Sequence, residues 1–166
     1  MKSLLSGLAL ACGVMTFSVL TEDSASASPY QYRQYYSSWS YQPQRSYHYC
    51  RYFYKPTTSY SGYQYHYAIR YTRSYSTQPR YSRYVYFYNP HRRVYWGRFD
   101  LEGKPGEQYS LLKNEDRKEK LEDIPESAFP KPGKMPVIPD SEDKVQIKPI
   151  DPNTLPKGEG GGDLPK

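Results

Sequence analysis

Between Tyr30 and Tyr95 the apolar positions are almost all tyrosine, and they recur at every second residue. The pattern stands at Tyr30/Tyr32, Tyr47/Tyr49 and Tyr52/Tyr54, and at greater length in Tyr63-x-Tyr65-x-Tyr67 and Tyr84-x-Tyr86-x-Tyr88. A period of two puts successive side chains on opposite sides of an extended backbone, and tyrosine favours strands. The pattern predicts strands over 47–54, 63–71 and 83–88, each with tyrosines on one face. Ile69, Val85 and Val94 are the only branched aliphatics in the same region. A phenol face with so few aliphatic partners predicts a wet, weakly cohesive core. No fixed period of 20–50 residues emerges, which excludes a solenoid or propeller reading.

The best-defined local element is a β-hairpin near 84–99. Two β-prone runs flank Asn89-Pro90-His91-Arg92, a four-residue turn with Asn and Pro where turns favour them. Trp96 is expected across from the Tyr/Phe strand, and a bulge is expected at Gly97. Two strands alone are marginal in water, so the hairpin needs the upstream tyrosine segments or a partner. Past Asp100 the pattern changes. Residues 111–123 hold helix formers without Gly or Pro, with Asp116 and Lys120 four apart, and Pro125 ends the run. This predicts a short helix. From Pro125 onward prolines recur and end in Gly160-Gly161-Gly162, a composition that predicts a disordered tail.

The expected organisation is therefore a signal peptide at 1–27, a Tyr/Arg-rich low-complexity arm at 28–83, the hairpin plus short helix at 84–124, and a Pro/Gly-rich charged tail at 125–166. The expected fold class is a mostly disordered, low-complexity chain with minor β structure and no conventional globular core. Leu, Ile, Val and Phe number 27 of 166 residues, about 16%, under the ~20% below which a chain struggles to bury enough apolar surface.

The N-terminus reads as an export signal. Lys2 precedes an uncharged run from Leu4 to Leu20, and Ala25-Ser26-Ala27 supplies the small residues of a cleavage site after Ala27. The run is too short and too diluted by Ser, Gly and Thr for a membrane span; lipoprotein processing at Cys12 is the alternative. The protein is then secreted, periplasmic or at the cell surface, and touches the membrane only through this signal. Cys50 is the single cysteine left after cleavage, so it stays free or forms an intermolecular disulfide.

Charge divides the mature chain. Residues 28–99 carry +11 with no acidic residue, and residues 100–166 carry −4. Such an arm is either self-attracting or directed at a polyanion, and the acidic tail is drawn to the arm of its own or a neighbouring chain. Nothing in the chain matches a phosphate loop, a nucleophile elbow or a metalloprotease helix. His48, His66 and His91 are isolated, and the acidic residues past Asp100 stand in the charged helical segment or the tail, where nothing would desolvate them. The sequence points to no enzyme, no cofactor, no metal site and no small-molecule substrate.

The residues expected to carry function are Arg51, Arg70, Arg73, Arg80, Arg83, Arg92 and Arg93 with Tyr84, Tyr86, Tyr88, Tyr95 and Trp96. Guanidinium over a phenol ring is worth ~0.5–1 kcal/mol at exposed sites, and many such contacts together hold chains to one another. The leading expectation is thus a secreted structural or adhesive protein of the bacterial envelope or matrix, self-associating through Tyr/Arg contacts. The alternative is a binder of an acidic polymer (polysaccharide, anionic surface or nucleic acid).

Four runs, Tyr95-Trp96-Gly97-Arg98-Phe99-Asp100, Tyr109-Ser110-Leu111-Leu112, Ile124-Pro125-Glu126-Ser127-Ala128-Phe129-Pro130 and Met135-Pro136-Val137-Ile138-Pro139, resemble a C-terminal pattern of short, tyrosine-rich, uncharacterised secreted bacterial proteins. The resemblance covers about 94–139, under a third of the chain. It implies export and a small extracytoplasmic body, carries no activity, and suggests that the segment after the hairpin is a recognition element as well as a linker.

Overall fold

The three tyrosine-rich segments do form strands, but they join a single sheet much larger than a hairpin. The computed structural model describes residues 33–72 and 83–156. Within them lie β1 (Gln34–Tyr36), β2 (Ser40–Gln42), β3 (Tyr47–Tyr54), β4 (Gln64–Tyr71), β5 (Tyr84–Asn89), β6 (Val94–Asp100) and β7 (Tyr109–Leu111). All pairings are antiparallel. β1 and β2 pair with opposite halves of β3, and β3 to β7 follow in chain order as a curled half-barrel. The expectation of a mostly disordered, low-complexity chain without a core is overturned by this sheet.

The missing aliphatic partners come from the segment past Asp100, the expected helix and tail together. One sheet face carries Cys50, Tyr52, Ala68, Val85, Phe87 and Phe99, and Ile138, Ile147 and Ile150 close over it. The opposite face carries Ile69, Tyr71, Tyr84, Tyr86 and Tyr95, covered by Leu112, Leu121, Ile124 and Phe129. Reading the arm and the tail as separate segments hid this, since neither holds enough apolar surface alone.

Buried polar side chains fix the tail in place. Arg33 donates from Nε to the Lys55 carbonyl at 2.7 Å, and its remaining nitrogens reach the Pro56 carbonyl, Asp143 and Ser141. Gln34 donates to the Gln146 carbonyl at 2.9 Å and accepts from the Lys148 N–H at 2.7 Å. The Gln34 bonds satisfy tail backbone, and with the Arg33 contacts to Asp143 and Ser141 they connect residues more than 100 positions apart. The tail expected to be disordered is therefore ordered as far as Pro156; residues 157–166 lie outside the described part.

The helix expected over 111–123 is absent. Only single 3-10 turns form, at Asn114–Asp116 and Leu121–Asp123. The backbone of this segment bonds to β6 instead: Leu112 N–H donates to the Trp96 carbonyl at 3.0 Å, and Tyr95 N–H donates to the Lys118 carbonyl at 2.8 Å. Those groups are no longer free for an i to i−4 ladder.

The hairpin is present as β5–β6, at the middle of the sheet. Asn89 Oδ1 accepts from the His91 and Arg92 N–H groups at 2.9 and 3.0 Å, and Arg93 takes a positive φ of 56° to close the turn. Register shifts beyond Phe87, which pairs with Gly97 while Tyr88 pairs with Tyr95. Trp96 is the bulged residue, so it stands on the same side as Gly97. A side chain at Gly97 would meet Tyr109 Oη at 2.8 Å and the Ser110 carbonyl at 2.9 Å.

If tail aliphatics complete the core, Ile147→Ala will lower stability by about 2–5 kcal/mol in urea titration, as for other buried truncations. A loss near zero would show that the tail does not cover this face.

Candidate functional site

At one end of the sheet the β3–β4 loop, the β5–β6 turn and residues 136–140 enclose a cleft of about 690 Å³. Its walls are aromatic, with Tyr54, Tyr60, Tyr63, Tyr65 and Trp96, and Tyr60 and Tyr63 are exposed. Two cations, Arg92 and Arg117, line it, with Asp140 as the opposing charge. Arg92 is presented by the hairpin turn. Arg117 is held by its Nε bond to the Leu112 carbonyl at 3.2 Å.

Among the described residues no carboxylate forms an ion pair with Arg92 or Arg117. Burial, and then the like charge of Arg92, lower the pKa of Arg117. Other arginines are differently placed. Arg83 grips Asp100 with two bonds of 2.8 and 2.6 Å and holds that carboxyl below its ordinary range. Arg93 pairs with Glu119. Arg98 pairs with Glu126 at 2.7 Å while sandwiched between the rings of Tyr84 and Phe129, 3.8 and 4.1 Å from its guanidinium carbon.

Polar atoms at the cleft floor lack protein partners. Tyr54 Oη donates to Gln64 Oε1 at 3.1 Å and lies 3.2 Å from His66 Nε2. With the phenol proton directed at Gln64, His66 donates from Nε2, and its Nδ1 remains an acceptor without a partner. Trp96 Nε1–H is likewise unpaired, with its ring 5.1 Å from that of His66. Each such group costs ~1–3 kcal/mol while unsatisfied. Burial first, then His91 and Arg92, push the His66 pKa down to about 3, so the ring is neutral at ordinary pH.

A second cavity of about 550 Å³ opens on the face that carries Tyr47 and Tyr49 of β3 and Tyr67 and Tyr71 of β4; Tyr52 and Tyr54 take the other face, so the tyrosines of β3 do not share the single face expected of them. Tyr47, Tyr49, Tyr67, Tyr88 and Tyr95 line it, with Arg45, Glu119 and Lys120. Tyr71 and Tyr95 share a hydroxyl hydrogen bond of 2.8 Å beside it.

The structure sorts the expected residues. Arg92 and Trp96 line the cleft, and Tyr88 and Tyr95 line the second cavity. Arg51 is exposed over the rings of Tyr65 and Tyr67, at 5.6 and 5.9 Å. Arg70 donates to the Pro156 carbonyl at 3.0 Å. Arg83, Tyr84 and Tyr86 serve the fold: the first is bound to Asp100, the second lies under Arg98, and the third is 1% exposed. Arg73 and Arg80 lie outside the described residues, as does the export signal.

Cys50 is 1% exposed, pairs across the sheet with Ala68, and has its thiol pushed up to about 12 by burial. The sulfur of this expected free or intermolecularly bonded cysteine is free and buried, on the sheet face that Ile138, Ile147 and Ile150 cover.

His66, Arg117 and Asp140 were not expected at a site. His66 had a legible signal, since with Gln64 it occupies the alternate positions between Tyr63, Tyr65 and Tyr67 and so takes the opposite face. Arg117 and Asp140 had none. Among the described residues no cluster of three or more His, Cys, Asp or Glu suited to a metal ion occurs.

Comparison with protein-family models, with curated proteins and with solved structures finds no match. The four runs that begin at Tyr95, Tyr109, Ile124 and Met135 supply buried residues to this fold, among them Trp96, Phe99, Leu112, Ile124, Phe129 and Ile138.

Two expectations follow. His66 stays neutral in the folded chain down to about pH 3, whereas the unfolded chain protonates it near 6.5. The unfolded state binds more protons between those values, so stability present above pH 6.5 falls as pH drops, by at most about 1.4 kcal/mol per unit. Urea midpoints from pH 7 to 4 should show this slope, and His66→Asn should flatten it. For Cys50, an alkylating reagent should leave the folded chain unmodified and label it fully in denaturant; rapid labelling without denaturant would contradict the buried sulfur.

Proposed function

We propose that this chain is an exported, non-enzymatic binding protein that holds acidic sugar units of an envelope or extracellular polysaccharide in the cleft between the β3–β4 loop and the β5–β6 turn. The observation that carries this reading is that Arg92 and Arg117 line one cleft with no carboxylate paired to either. Two like charges held together cost energy that an incoming anion relieves, and a guanidinium matches a carboxylate with two parallel bonds. Tyrosine and tryptophan walls suit the apolar face of a sugar ring, with a few polar groups to orient it.

Export rests on the Met1 to Ala27 segment. It favours a polysaccharide over nucleic acid as the acidic partner. Self-association through Tyr/Arg contacts is less well supported, because Arg83, Arg93 and Arg98 are occupied by carboxylates of the same chain. Exposed rings remain at Tyr35, Tyr41, Tyr60 and Tyr63.

The test is sedimentation of the mature chain with polygalacturonate in reductant. Co-sedimentation should appear at low salt and vanish toward about 1 M, where the screening length is about 3 Å. Arg92→Gln with Arg117→Gln should weaken binding by about tenfold or more, since charged hydrogen bonds are worth ~1.5–3 kcal/mol each. Undiminished binding in that variant would overturn the cleft as the site. Association of the chain with itself, without polysaccharide, would favour the adhesive reading.

A further inference from the structure

The cleft and the second cavity are joined by a line of rings across one sheet face. Tyr65 lines the cleft, with its ring centre 6.0 Å from that of His91 in the β5–β6 turn. From Tyr65 the contacts continue to Tyr67 at 5.5 Å, from Tyr67 to Tyr49 at 5.8 Å, and from Tyr49 to Tyr47 at 6.1 Å. Tyr67, Tyr49 and Tyr47 line the second cavity. These side chains share a face because they occupy alternate positions on β3 and β4, in a register that pairs Arg51 with Tyr67 and Phe53 with Tyr65. From Tyr65 to Tyr71 the face runs about 20 Å at ~3.3 Å per residue.

Charge follows the same line. Arg51 is exposed above Tyr65 and Tyr67, and among the described residues no carboxylate pairs with it. Arg45 and Lys120 stand at the far cavity, where the carboxylate of Glu119 is engaged by Arg93. Cations therefore mark the start, middle and end of a ring-lined path. A single sugar acid would occupy part of the cleft and leave the rest of this path bare.

We infer that the ligand is an extended acidic glycan several units long, which enters at Arg92 and Arg117, crosses Arg51 along the tyrosine line, and reaches the cavity at Arg45 and Lys120. This rests on the reading of the cleft as an acidic-sugar site. Ring faces along the path take successive sugar units, and the spaced cations take their carboxylates. Each added contact is intramolecular once the first unit is seated, so affinity grows with chain length.

Calorimetric titration of the mature chain with galacturonate oligomers from dimer to decamer tests this. Affinity should rise by at least about tenfold across the series. Arg51→Gln and, separately, Lys120→Gln, both at exposed positions, should lower octamer affinity several-fold more than dimer affinity. If dimer and decamer bind equally, or the gain with length survives both substitutions, the extended path is wrong while the cleft site stands. If poly-glutamate of matched charge shows the same gain, the line reads charge and not sugar, and the glycan assignment falls. Absence of binding at any length overturns both readings together.

Discussion

Tyrosine strands bury their rings here only because aliphatic side chains from far along the chain close over both faces of the sheet. Between β1 and β6 the branched aliphatics number too few to pack against the phenols. Ile138, Ile147 and Ile150 complete one face, and Leu112, Leu121 and Ile124 the other. Apolar burial stabilises roughly in proportion to area, and an isoleucine covers a tyrosine ring without adding a polar group that needs a partner. The proline-rich stretch between these residues suits the task, since extended backbone crosses a sheet face and drops one side chain into it at intervals.

A core made of phenols brings a second requirement, because every buried hydroxyl needs a hydrogen-bond partner. Most find one across long sequence distances. Tyr52 donates to Gln34 at 2.7 Å, Tyr36 donates to the Lys148 carbonyl at 2.8 Å, and Tyr71 and Tyr95 bond to each other. Three groups that meet through the Trp96 ring do not: His66 Nδ1, Trp96 Nε1 and Tyr109 Oη. They gather where the β6 bulge turns Trp96 inward, and two of the three residues line the cleft. The defect in polar satisfaction and the open space thus coincide.

Electrostatics divides the arginines by the same folding event. The acidic segment past Asp100 folds back on the basic one, as opposite net charges favour, and neutralises some guanidinium groups while leaving others. Arg33, Arg83, Arg93 and Arg98 meet Asp143, Asp100, Glu119 and Glu126. Arg92 sits one residue from Arg93 and meets none of these. Its neighbour enters the left-handed region at φ 56°, which closes the turn; Arg93 meets Glu119 while Arg92 lines the cleft.

The sequence by itself determined the local geometry. Alternating tyrosines specified β3, β4 and β5, and the Asn-Pro turn with a glycine beyond it specified the β5–β6 hairpin and its bulge, because these features depend on neighbours two to ten residues apart. It also determined the charge division and the set of basic and aromatic residues from which any site must be drawn. Only tertiary structure decided that a core exists, since one face joins Cys50 to Ile147 and the other Tyr86 to Ile124, and the stretches so joined each have, alone, the composition of a disordered chain. The same holds for the cleft. Arg117 and Asp140 come from segments that read as a helix and a tail, and which arginines stay unpaired depends on carboxylates that arrive by folding, a quantity no local pattern encodes.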